Sequence, residues 1–394
     1  MTSIAAQAEV LPSTSERNEG IDMLRGLSIV LVVMHHVGLR IPLRKGVLGA
    51  FLPKWFLNAL IYNGYEAVFV FFVISGFLIA SNAMTRWGQL GDIDFRAFYT
   101  RRASRILPCL LILVGVLSAL HLVGAQDYVI SKAGQSLPRA IFSALGLHLN
   151  WFEGHFGYLP GNWDVLWSLS IEEVFYLAFP LVCFGLRKDR FLLPVLGVLA
   201  LSLPWTRAVL AGNGIWQEKA YWPGMGGIAM GVAAALLAAR TRRFSIGALR
   251  ALGAVGIAGL IAVFCFEDRL WPWMGNGVML VLTGATASLL LACDGLARLK
   301  ATRPLPGTGW LRSFGLLSYE IYLTHMFIVW PIVRGFKTMN AGWWWGILWY
   351  PPALALSWGL GWLVARYISF PSERALRRFW AALPSEPEMC EEPS

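Results

Sequence analysis

The chain of 394 residues is 57% hydrophobic and only 14% charged, and it holds 19 Trp; a soluble domain carries about 25% charged residues. That balance excludes a disordered chain, a collagen-like chain and an ordinary cytosolic enzyme, and predicts an all-α, polytopic membrane helix bundle with short loops. The net charge of +10 fits basic loops beside membrane spans, and no nucleic-acid-binding motif accompanies it.

Residues 1–20 are polar and small with no apolar core, which predicts a disordered cytoplasmic tail and not a signal peptide. Ten apolar segments follow, roughly 22–39, 62–81, 106–124, 166–186, 191–208, 223–239, 246–264, 275–293, 314–333 and 343–365, each close to the ~20 residues that cross a bilayer. The stretch 138–150 is apolar but short, as a re-entrant or interfacial piece would be. Residues 371–394 read as a second cytoplasmic tail, which leaves 21–370 as one transmembrane domain. With the N-terminus inside, the inner segments hold 22 of the 33 lysines and arginines. This bias puts both termini on the cytoplasmic side and Trp343–Trp345 at the outer interface. The five cysteines are scattered, without metal spacing or a disulfide framework.

Ionisable groups inside spans are costly, so they face a cavity or a partner. In the first segment Arg25 and His36 are eleven residues apart, about 20° from three full turns, so they share a face, with a rise of about 16 Å between them. His35 points about 100° away from His36. In the second segment Ser75-Gly76 reads as a close helix–helix packing point. At the start of the third, Arg101, Arg102 and Arg105 fall within one turn, and guanidinium forks suit phosphate. Ser168, Glu172 and Tyr176 form a stripe at i, i+4, i+8, from which Glu173 is turned away. Ser318, Tyr322 and His325 form another. Each has a plainer reading: a snorkelling arginine, acids at a helix N-terminus, interhelical hydrogen bonds, a basic anchor. Helical rise nevertheless brings His36, Glu172 and His325 to one depth, about 16–20 Å from the inner edge, and predicts a shared polar cavity. A neutral His36 there could serve as a base, with Glu172 to orient it. His325 would be a second base or an acceptor contact, Arg102 and Arg105 would hold phosphates, and Arg25 would line the channel.

Taken together, the motifs resemble the acyltransferase-3 family of bacterial integral membrane O-acyltransferases. The resemblance rests on Arg25 with ten residues before His36, Phe71-Phe-Val-Ile-Ser-Gly-Phe-Leu, Arg102-x-x-Arg105 followed by Ile-Leu-Pro, Ser168-Leu-Ser-Ile-Glu172, and Ser318-Tyr-x-Ile-Tyr-Leu-x-His325. It implies a multi-pass protein of the bacterial cytoplasmic (inner) membrane. Such a protein moves an acyl group, acetyl above all, from cytoplasmic acyl-CoA to a hydroxyl, often of a surface glycan, without a metal. His36 matches the family's essential histidine, Arg25 its partner, Arg102 and Arg105 the donor-engaging pair, and Glu172 the motif acid. Many members carry Gly-Val-Asp where this chain has Ala67-Val68-Phe69, so that aspartate is missing or its place is taken by Glu66. Some members carry an extra periplasmic domain. None follows the last segment here, which implies direct transfer or a separate periplasmic partner. The rival readings are a transporter or flippase, which also needs a midplane polar cavity, and acylation of a small secreted molecule.

Overall fold

The computed structural model describes residues 17–240, 244–302, 305–340 and 342–382. Most of the expected N-terminal tail, the last twelve residues of the C-terminal one and Cys390 lie outside the described residues. Among the described residues all regular structure is helical. The helices that build the bundle are α1 (Glu19–Gly38), α2 (Gly64–Trp87), α3 (Phe95–Leu122), α4 (Leu166–Leu186), α5 (Asp189–Leu201), α6 (Leu203–Val209), α7 (Tyr221–Arg240), α8 (Ile246–Met274), α9 (Val278–Arg298), α10 (Gly309–Leu316), α11 (Ser318–Thr324), α12 (Met326–Thr338), α13 (Tyr350–Val364) and α14 (Phe370–Ala382).

Each of the ten apolar segments coincides with helix, but among the described residues seven helical stretches are long and apolar enough to cross a membrane, or eight with the pair α5–α6, bent by 43°. Two features separate this from ten. α8 and α9 run on as one 53-residue helical stretch, kinked at Phe266. Its halves fold back on each other, since Gly253 meets Ala292, Gly259 meets Ala285 and Gly295 meets Leu249. The segment 314–333 is broken at Leu317 and His325 into α10, α11 and α12, of 8, 7 and 13 residues. The short stretch 138–150 is likewise split, between helices Leu137–Leu145 and Leu149–Phe156. The expected C-terminal tail opens with α14, which packs against α3. Trp343, Trp344 and Trp345 stand exposed on a 3-10 turn ahead of α13.

α1 starts where Asn18 caps it: its side-chain oxygen accepts from the Gly20 and Ile21 amides, at 3.1 and 3.3 Å. The Asn18 amide donates to the Cys293 carbonyl at 2.9 Å and ties this end to α9. Glycines then set the distances between helices. A Cβ on Gly76 would stand 1.9 Å from the Ile228 carbonyl oxygen, and one on Gly231 1.9 Å from that of Val73, so α2 and α7 touch backbone to backbone. Gly26 and Gly315 do the same for α1 and α10. A methyl group gains about 1 kcal/mol of helix propensity, but here it must displace a main-chain carbonyl. Gly76→Ala is therefore expected to destabilise the bundle by about 1–3 kcal/mol, read as a lower denaturation midpoint of the purified protein; an unchanged midpoint would contradict this packing.

A buried ion triad braces the segment ahead of α4. Lys219, at the end of the helix Gly214–Lys219, donates to Glu153 Oε2 at 2.8 Å and to Asp164. Glu153 also accepts from the Leu159 amide at 2.9 Å. Asp164 sits two residues before α4, so the triad positions the start of the helix that carries Ser168 and Glu172.

Candidate functional site

α1, α2, α3, α4 and the α10–α12 segment enclose one cavity of about 1010 Å3. Nine of the eleven predicted site residues line it: Arg25, Arg101, Arg102, Arg105, Ser168, Glu172, Tyr176, Ser318 and Tyr322. The i, i+4 stripes read from the sequence are the faces that meet there. Arg25 Nη2 donates to Ser318 Oγ at 2.8 Å, joining α1 to α11. The Tyr322 and Ser168 hydroxyls bond at 2.7 Å, joining α11 to α4. The Tyr176 hydroxyl bonds Ser75 Oγ, joining α4 to α2. The Arg102 guanidinium lies over the Tyr176 ring at 4.1 Å, and that of Arg105 over Tyr319 at 5.8 Å. Among the described residues eight arginines and four carboxylates line the space, so it carries a net positive field focused by apolar walls, which favours a polyanion.

His36 and His325 do not line this cavity. They pair with each other, ring centroids 4.9 Å apart, with His325 Nε2 3.4 Å from His36 Nδ1. His36 Nδ1 is 2.8 Å from the Val32 carbonyl oxygen, and His325 Nδ1 is 2.8 Å from that of Tyr322. A carbonyl only accepts, so both rings carry their proton on Nδ1. His36 Nε2 then holds a lone pair, the state a general base needs. His325 is fully buried at the joint between α11 and α12, whereas His36 is half-buried.

Three expectations are corrected here. First, the single depth splits. Ser168 and Tyr322 share a level; Glu172 is one turn to one side and His325 three residues to the other, about 10 Å apart along the helices. Rise arithmetic on separate helices could not see their relative shift. Second, Glu172 does not orient His36: its charged neighbours are Arg102 and Arg25, with the Ser75 hydroxyl beside it. The carbonyls of Val32 and Tyr322 hold the imidazoles instead. Third, only Gly76 of the pair Ser75-Gly76 is a packing point, since Ser75 lines the cavity.

Other lining residues were missed. Arg17–Asp22 and Asp294–Arg298 are ion pairs at 2.9 Å on the cavity wall; the i, i+4 spacing of the second was readable. Arg377 comes from α14, in the stretch read as a tail, and nothing local points it inward. Glu66 does not line the cavity; its charged neighbours are Glu267 and Arg207. Among the described residues no group of three potential metal ligands occurs.

A family model described as "Acyltransferase domain" matches residues 18–383. "Peptidoglycan O-acetyltransferase OatA" of Listeria monocytogenes is 26% identical over 334 residues, 78% of this chain and 49% of that protein. "Putative peptidoglycan O-acetyltransferase YrhL" of Bacillus subtilis is 26% identical over 329 residues, 78% of this chain and 48% of that protein. The chain thus spans about half the length of these curated relatives. No solved structure matches.

Proposed function

The chain belongs to the acyltransferase-3 family, and from that premise we propose that it is a membrane-embedded O-acyltransferase using acyl-CoA, acetyl-CoA in particular, to acylate a hydroxyl of a glycan-type acceptor. The observation that carries this reading is the arginine-lined cavity, whose Tyr322–Ser168 hydroxyl pair stands one helical turn from the His36–His325 pair. The arginine-rich end is the cytoplasmic side of a bacterial inner membrane, with both termini there, in keeping with the bias of basic residues.

On this reading Arg25, Arg102 and Arg105 hold donor phosphates by charge-assisted hydrogen bonds, and the acyl-pantetheine arm runs toward Tyr322 and Ser168. These two hydroxyls part to admit the thioester and donate to its carbonyl oxygen as charge develops. His36 Nε2 takes the proton of the acceptor hydroxyl. The oxygen attacks the carbonyl carbon, the C–O bond forms as the C–S bond breaks, and the departing thiolate takes the proton from His36. His325 acts through His36 as a positioning residue, and Glu172 balances the guanidiniums of Arg102 and Arg25. The names of the relatives make a cell-wall glycan the first acceptor to try; a small secreted alcohol or a periplasmic relay protein is the next.

The test is the full chain reconstituted in vesicles with acetyl-CoA outside or inside and a peptidoglycan fragment on the opposite side. Free CoA thiol is expected to form in step with acetylated glycan. Movement of the fragment without thiol release would replace this reading with a transporter.

A further inference from the structure

Three guanidiniums that the reaction scheme does not use converge at the open end of the cavity. Arg86 comes from the last turn of α2, Arg101 from α3 and Arg377 from α14, and all three line the cavity. The charges that act on Arg101 are those of Arg86 and Arg377. Arg377 is paired with Glu373 on its own helix. No ion-pair partner of Arg86 or Arg101 is present among the described residues. Like charges gathered from three separate elements repel one another, and an anion between them reverses the sign.

Depth separates Arg86 from the inner arginines. Ser75 bonds Tyr176, over whose ring Arg102 lies. Arg86 is eleven residues further along α2, about 16 Å toward the mouth. Ser168 is eight residues from Tyr176 in the other direction, about 12 Å toward the closed end. The cavity therefore has a deep cationic level at Arg25, Arg102 and Arg105 and a rim level marked by Arg86, and Arg101, although next to Arg102 on α3, is the residue of that turn on which the charges of Arg86 and Arg377 act. Between the deep level and the hydroxyl pair there is room for an extended chain.

We propose that Arg86, Arg101 and Arg377 form a rim site for a terminal phosphate dianion, the 3′-phosphate of the donor's nucleotide, so that α14 is part of the donor site. This rests on the acyl-CoA reading and divides its work. The deep arginines meet the pyrophosphate, and the rim distinguishes the complete nucleotide from one lacking the 3′-phosphate.

Binding to the full chain in nanodiscs tests this without requiring turnover, with adenosine 3′,5′-bisphosphate and adenosine 5′-monophosphate as probes. The bisphosphate is expected to bind roughly tenfold tighter or more, as charge-assisted contacts to one phosphate allow. Arg86→Ala and Arg377→Ala should each collapse that preference, while Arg374→Ala and Arg378→Ala on the same helix, which do not line the cavity, should keep it and so report that α14 still folds. Equal binding of both nucleotides by the unaltered protein, or a preference that survives both rim substitutions, overturns the proposal. So does a rim substitution that weakens attachment of phosphatidylglycerol alone, which would assign these arginines to lipid headgroups. Thiol release from acetyl-CoA, measured separately, fails only if the acyltransferase reading fails.

Discussion

Replacing His36 by alanine is expected to lower acyl transfer by about a hundred- to ten-thousand-fold, the contribution of a positioned general base, while the protein stays folded. The expectation follows from hydrogen bonding. The Val32 carbonyl, 2.8 Å from Nδ1, holds the ring proton there, so the lone pair of Nε2 has no competing proton. Removing the ring leaves the acceptor hydroxyl without a base. It also leaves His325, whose Nε2 is turned toward His36, without its neighbour. His325→Gln should cost less, because that residue works through the ring of His36. The measurement is thiol release from acetyl-CoA with a glycan acceptor, compared across the two variants. If His325→Gln were the more damaging, the base would have to be reassigned. Near-normal turnover by His36→Ala would remove the proposed chemistry altogether.

Lys219→Met is expected to be the most destabilising single change, by about 3–5 kcal/mol. The Lys219 side chain is 4% exposed and answers two carboxylates, of which Glu153 is fully buried. Deleting the ammonium leaves those carboxylates side by side in a low dielectric, where desolvation and mutual repulsion add. The midpoint of thermal or denaturant unfolding in detergent would report the loss. Combining Lys219→Met with Glu153→Gln and Asp164→Asn should restore much of it, since the repelling charges are then gone. A single variant as stable as the parent would show that the triad braces nothing. Because Asp164 adjoins the start of α4, partial unfolding here should also cost activity through Ser168 and Glu172.

Much of the candidate site was legible before any coordinates. Ser168, Glu172, Tyr176, Ser318 and Tyr322 sit on stripes spaced at i, i+4, i+7 or i+8, Arg25 shares a face with His36 eleven residues on, and helical geometry alone makes each set one face. Composition required those helices to pack in lipid, where an ionisable stripe has to turn inward. So the faces, the all-helical fold and the family followed from local periodicity and motif order, and the comparisons with known proteins agree on the family.

Residue order along each helix specifies the polar faces and the chemistry they carry. The tertiary structure alone decided which faces meet, and at what height. His36 and His325 pair behind Tyr322, Glu172 sits nearer Arg25 and Arg102, and Arg377 reaches the cavity rim from α14. The physical reason is that residue spacing along one helix is a local property of its backbone. The shift and rotation of one helix against another are set by distant contacts, such as Gly76 on the Ile228 carbonyl, Gly26 on that of Leu311 and the Lys219 triad.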